Sequence, residues 1–144
     1  MKDAARQKIQ ETINAVWTSN TPCAFVYDNQ PRPTDASAIW ARISLRFGES
    51  TPITVGREGT RTIANLLIQV FIPENTGSAA AFKVADKLDE CFRYKAVTFT
   101  EGAKNCSING DTGCTGPIPG GISSGSQLYS LQHVLRIDEH DTSV

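Results

Sequence analysis

Ile39-Trp40-Ala41-Arg42-Ile43-Ser44-Leu45-Arg46-Phe47-Gly48 is the cleanest two-residue alternation in the chain. Successive side chains of an extended strand point to opposite sides. Ile39, Ala41, Ile43, Leu45 and Phe47 therefore share one face, and Trp40, Arg42, Ser44 and Arg46 share the other. The strand, predicted over Ala38 to Phe47, packs one face on a core and turns the other toward solvent or a partner. Trp and Arg are enriched at protein interfaces, which is one reading of the second face. The other reading buries Trp40 under a helix or an edge loop.

Working outward, Gly48 turns the chain into a short strand over Thr51 to Val55, and Gly56-Arg57-Glu58-Gly59 turns it again. Arg61 to Ile72 then reads as a long strand with apolar residues on both faces, which places it centrally in a sheet. Toward the N-terminus, Cys23 to Tyr27 is a short strand and Asp28 to Asp35 a polar loop with two prolines. Asp3 to Ser19 is a helix on the spacing of Ile9, Ile13, Val16 and Trp17, stopped by Asn20-Thr21-Pro22.

Toward the C-terminus, Ser78 is placed to cap a helix running to about Phe92, with Ala81, Val84, Ala85, Leu88, Cys91 and Phe92 as its buried stripe. Val97 to Glu101 is a short strand. Gln127 to Ile137 is the last strand, with Tyr129, Leu131, His133, Leu135 and Ile137 on one face, and the acidic Asp138 to Asp141 is read as a frayed tail. Between these two strands, Gly110 to Ser126 holds six of the eleven glycines together with Pro117 and Pro119, and it has no hydrophobic period. It reads as a long loop, either a surface excursion or a segment that orders against a neighbouring subunit or partner.

Strands clustered between helices predict an α+β fold, a mostly antiparallel sheet with both helices on one face and the Gly-rich loop before the last strand. A chain of 144 residues is expected to form one domain, residues 1–144. With 14 Lys+Arg against 15 Asp+Glu the net charge is −1, which excludes proteins that grip DNA by basic excess or bind membranes through a polybasic patch. The most apolar run, Ile63 to Ile72, is far short of the ~20 residues that span a bilayer. No signal peptide is visible, and the four widely spaced cysteines are expected as reduced thiols.

Catalytic patterns are missing in the same way. Two histidines and no CxxC pair give no zinc site, and neither phosphate-binding nor nucleophile-elbow glycine motifs occur. Asp111-Thr112-Gly113 matches the tripeptide of aspartic proteases, but Ile108-Asn109-Gly110 precedes it where that site needs an apolar strand. No residue is assigned a catalytic, cofactor-binding or metal-binding role. The candidate subunit or partner interface comprises Trp40, Arg42 and Arg46, the turn-flanking Arg57 and Arg61, and Asp111, Pro117 and Ile118 of the loop.

The strand Ile39 to Gly48, Gly56, Arg61, the run Leu67-Ile68-Gln69-Val70-Phe71-Ile72-Pro73, Gly77, and the Ala85-Asp86 helix ending near Phe92 together resemble a phage pattern. It is that of the tail terminator-like proteins of long-tailed phages, the group around the lambda-type minor tail protein U. Members often carry Gly three positions after the Arg, where this chain has Ala64. The resemblance implies a virion protein, assembled in the bacterial host cytoplasm. It implies a ring of copies, six in the lambda-like case, on the head-proximal end of the tail tube. Its implied partners are further copies, the tail tube protein and a head-completion or neck protein, with DNA only passing through the channel. In that reading exposed strand edges and the Trp40/Arg42/Arg46 face supply the ring contact, and near-neutral charge suits a channel that does not grip DNA. The alternatives are a neck or head–tail connector ring, a monomeric ligand-binding domain, and an aspartic protease built on Asp111.

Overall fold

In a computed structural model that describes residues 2–17, 23–31, 39–53, 59–123 and 125–141, the chain runs α1 (Lys2–Trp17), β1 (Ala24–Tyr27), β2 (Trp40–Pro52), β3 (Gly59–Pro73), α2 (Ala79–Phe92), β4 (Ala96–Glu101), β5 (Lys104–Asn109), β6 (Thr115–Ser123) and β7 (Ser126–Asp141). The seven strands form one sheet in the order β1-β2-β3-β7-β5-β4, with β6 paired to β7 off that path. β3 occupies one edge of β7, and the opposite edge of β7 is shared by β6 on its first half and β5 on its second. Every pairing is antiparallel except β1 with β2.

The alternation along β2 and β3 decides which side is core. Ala41 and Ile43 of β2, Ala64, Leu66, Ile68, Val70 and Ile72 of β3, and Leu131, Leu135 and Ile137 of β7 all join one buried cluster. The buried stripes of both helices join the same cluster: Ala5, Ile9, Ile13 and Trp17 from α1, and all six residues expected from α2. Both helices thus cover one face of an α+β fold. β1 is fastened to α1 by Tyr27, whose hydroxyl lies 2.9 Å from Asn14 Oδ1 and 3.2 Å from the Gln10 carbonyl. Trp17 donates its indole N–H to the Cys23 carbonyl at 3.0 Å. Ser78 stands at the start of α2 but makes no side-chain cap bond; its carbonyl accepts the Ala81 and Phe82 N–H groups instead.

Three segments differ from their sequence reading. The two short strands expected on either side of Gly48 are one strand, β2, with a bulge between Phe47 and Ser50. Gly48 permits the close passage there, since a Cβ would sit 3.1 Å from the Ile63 carbonyl oxygen. The acidic segment from Asp138 is not frayed but completes β7, paired with Gly59–Arg61 on one side and Lys104–Ser107 on the other. The Gly-rich stretch is not a loop: Thr115–Ser123 is β6, a hairpin partner of β7 interrupted by two register shifts. Gly and Pro hide such a strand from any periodicity argument. Pro117 and Pro119 are tolerated because β6, among the described residues, bonds to β7 alone. Gly116, at φ +106, brings its Cα where a Cβ would meet the Ser130 carbonyl oxygen at 2.7 Å. The expected helix stop at Asn20-Thr21-Pro22, the Arg32–Asp35 part of the polar loop, Thr54–Val55 and the Gly56 to Glu58 turn lie outside the described residues.

The four cysteines are free. Burial pushes Cys23 and Cys91 up to about 11 and Cys114 up to about 12, so these thiols stay protonated and unreactive near neutral pH.

His133 is fully buried on the helix-covered face, with neither ring nitrogen hydrogen-bonded among the described residues. Its ring meets Phe92 edge-on at 5.9 Å. Burial pushes its pKa below the ordinary value, opposed by the nearby Asp89 carboxylate and the Thr112 backbone. The native imidazole is held neutral, whereas the unfolded one takes up a proton below about pH 6.5. Stability therefore falls as pH drops from about 6.5 toward the lowered native value, and His133→Leu should flatten that part of the pH profile of the urea midpoint. Gly110 gives a second expectation: a Cβ there would lie 1.9 Å from the Phe92 carbonyl oxygen. Gly110→Ala should cost about 2–3 kcal/mol or more of unfolding free energy, read from the same midpoint.

Candidate assembly interface

The face of the sheet opposite the helices is built from the alternate residues of the same strands. Register places Trp40 against Phe71, Arg42 against Gln69, Ser44 against Leu67 and Arg46 against Asn65. It places Asn65 against Val134 and Ile63 against Arg136. Ile63 and Val134 remain 42% and 41% exposed, which shows that no element among the described residues covers this part of the sheet.

Trp40 is buried although it stands outside the cluster that the two helices cover. Its ring stacks on Phe71 with centroids 4.3 Å apart and planes 13° apart. The Arg42 guanidinium carbon lies 5.3 Å from the Trp40 ring centroid, a cation–π position. Trp40 is thus a platform within the sheet face rather than a protruding anchor, and Arg42 is the group presented on it. Arg46, four residues on, is exposed and lines a shallow cleft on the same face.

Arg61 belongs to a different arrangement. Its Nε donates to Asp138 Oδ1 at 2.9 Å, and the hydrogen bond to that carboxylate pushes its pKa further up. Asp138 also lies 3.2 Å from Arg136 Nε, and Arg136 reaches Asp111 at 3.2 Å. The Arg136 Nε contact is an ion pair without hydrogen-bond geometry, since that nitrogen has no hydrogen-bond partner. Two arginines and two aspartates thus tie β3, β7 and the turn before β6 together. Asp111, singled out by its resemblance to a protease motif, is exposed and engaged in this network. Neither Arg136 nor Asp138 is among the residues expected at the interface. The sequence reading ends the last strand at Ile137, which leaves Asp138 in a tail with no strand neighbour to place it beside Arg61.

Of the loop candidates, Pro117 is half-buried and Ile118 is 58% exposed on β6, where Ile122 is also 63% exposed. Sequence reasoning does not reach Ile122, because it expects no strand there. Arg57 lies outside the described residues. The structure brings Trp40, Arg42 and Arg46 together on one strand, joins Arg61 to Asp111 through Asp138 and Arg136, and sets Pro117 and Ile118 on an outer strand. At the opposite edge of the sheet, a crevice of about 310 Å³ opens between α1 and the β1–β2 end, floored by Ile9, Ile13, Ile43, Leu45 and Leu66 and rimmed by Arg6, Gln10, Asp28 and Gln30. Among the described residues no three His, Cys, Asp or Glu side chains gather closely enough to hold a metal ion.

A family model described as phage tail terminator protein matches residues 1–141. The chain belongs to that family. This tail terminator family is one of structural proteins, so the chain has a structural role in the phage tail and belongs to the virion, with contacts to tail and head components implied. The match does not specify the lambda-type group. A solved structure superposes with a TM-score of 0.64 at 17% identity, covering 97% of this chain and 96% of that one, a likeness of fold alone. No curated protein matches in sequence. No helix of the described residues is long and apolar enough to cross a membrane.

Removing the carboxylate that both arginines share should be felt in stability. Asp138→Asn leaves Arg61 and Arg136 without their common anion, at an expected cost of about 1–3 kcal/mol, discounted because Arg61 and Arg136 are partly in water. Chemical denaturation of the two proteins side by side checks it.

Proposed function

We propose that copies of this chain close into a ring, six in number as in the lambda-like case, on the head-proximal end of the tail tube. The ring ends tube polymerisation and presents a surface for joining tail to head. Residues 1–144 act as one terminator unit, assembled in the host cytoplasm, with DNA passing through the ring.

The observation that carries this reading is β6. It is uncharged throughout, it pairs among the described residues with β7 alone, and it exposes Ile118 and Ile122. An exposed apolar outer strand is a liability that proteins avoid unless something covers it. A closed ring uses a heterologous contact, in which one patch meets a different patch on the next copy. β6 and the crevice beneath α1 lie toward opposite edges of the sheet, as such a contact requires. We therefore assign the copy-to-copy contact to these edges, leaving the Trp40/Arg42/Arg46 face for a partner.

Ile118→Glu with Ile122→Glu tests the assignment. Both side chains are exposed, so the urea midpoint of the variant should stay within about 0.5 kcal/mol of the parent. Its light-scattering mass, taken across concentration and again with tail tubes, should stay at the 15.6 kDa monomer while the parent forms a multiple of it. An oligomer of unchanged mass in the variant would overturn the β6 contact.

A further inference from the structure

The four arginines on the uncovered sheet face are of two kinds. Arg61 and Arg136 meet Asp138 and Asp111. Arg42 and Arg46 form no ion pair among the described residues. Arg42 Nε is shielded from water and has no hydrogen-bond partner among the described residues, although a buried guanidinium nitrogen left without an acceptor is costly. The guanidinium carbon lies over the Trp40 ring, a cation–π position.

Arg42 and Arg46 are four residues apart on one strand, so their Cα atoms are separated by ~13 Å. Beside them lies a cleft of about 350 Å³ on the sheet, lined among others by Ser44, Arg46, Leu67, Gln69 and Ser130. Its chemistry is the Arg46 guanidinium, hydroxyl and amide groups and an apolar floor, with the Asp28 carboxylate on its lining as well; the Arg42 guanidinium stands beside it on the same strand face. Guanidinium forks match carboxylates in shape and charge.

We propose that this face docks an acidic segment of a second protein, one carboxylate seated on Arg42 over Trp40 and another on Arg46. The chemistry stands on the sheet face itself; only the expectation that the second protein is a tail or neck component rests on the function proposed above. A further copy of this chain is a poor source of those carboxylates. Asp3, Glu11, Glu90, Glu139 and Asp138 are already paired with cations of their own chain. Asp28 lines the cleft itself and accepts the Asn29 N–H, and Glu49, Glu74 and Asp86 are scattered over the bulge of β2, the turn after β3 and α2. Duplex DNA is disfavoured by the exposed Asp111 carboxylate at the edge of the same face and by the small number of unpaired cations.

The test is a titration of the isotopically labelled full chain, followed by NMR, with a deca-glutamate peptide and separately with a short DNA duplex. The peptide should shift the Trp40 indole and the Arg42 and Arg46 signals saturably. Arg42→Gln with Arg46→Gln should weaken that binding about tenfold or more, and Lys83→Gln should leave it unchanged. The oligomeric mass of the double variant should equal that of the parent. No saturable shift, equal affinity in the double variant, or tighter binding of the duplex at these residues would overturn the proposal. Loss of oligomeric mass in the double variant would overturn the assignment to a second protein. A parent that binds the peptide here but never forms a ring would leave this docking face standing and remove the ring alone.

Discussion

The antiparallel pairing of β3 with β7, unbroken from Gly59 opposite His140 to Pro73 opposite Ser126, is the constraint on which the rest depends. Its two-residue period commits Ala64, Leu66, Ile68, Val70 and Ile72 to one side together with Leu131, His133, Leu135 and Ile137. A slip of one residue would exchange these with Asn65, Gln69, Gln132 and Arg136. Both helices need the apolar side to bury their stripes. The arginine network and the Trp40–Phe71 stack need the other side, so one register sets both the core and the candidate interface.

The length of this pair also explains the outer strands. β7 outruns any single neighbour on its free edge, and β5 and β6 divide that edge between them. The turn between them crosses the network at Asp111 and is latched to α2, where Asp89 accepts the Cys114 N–H at 2.7 Å. The outer strand β6 thus hangs from the longest ladder of the sheet, which suits a contact surface that has to be presented in one fixed position.

How much of this was legible in the sequence follows from which residues carry period. Strand Ile39–Phe47 and the α2 stripe of Ala81, Val84, Ala85, Leu88, Cys91 and Phe92 announce themselves because apolar side chains repeat at 2.0 and 3.6 residues. The outlines of β3 and β7 were legible for the same reason. β6 was not, because Gly116, Gly120, Gly121, Pro117 and Pro119 have no alternating apolar side chains to read, and its pairing depends on two register shifts. β5 was hidden because only Cys106 and Ile108 of its six residues face inward. Of the candidate interface, the Trp40/Arg42/Arg46 grouping was legible from strand parity, whereas the stacking of Trp40 on Phe71 and the shared use of Asp138 depend on which strand lies next door. Parity tells which face a side chain takes; it does not tell what stands beside it.

Family membership gives the chain a structural place in the phage tail, and our proposal fills that place with edges that meet copies and a cationic face that meets a partner. The most direct measurement is negative-stain imaging of tail tubes assembled with and without the protein, with the protein carrying a visible label. The account predicts closed rings at one end of each tube and tubes of uniform length only when the protein is present. Tubes of the same length distribution in both samples, with no label at their ends, would contradict it.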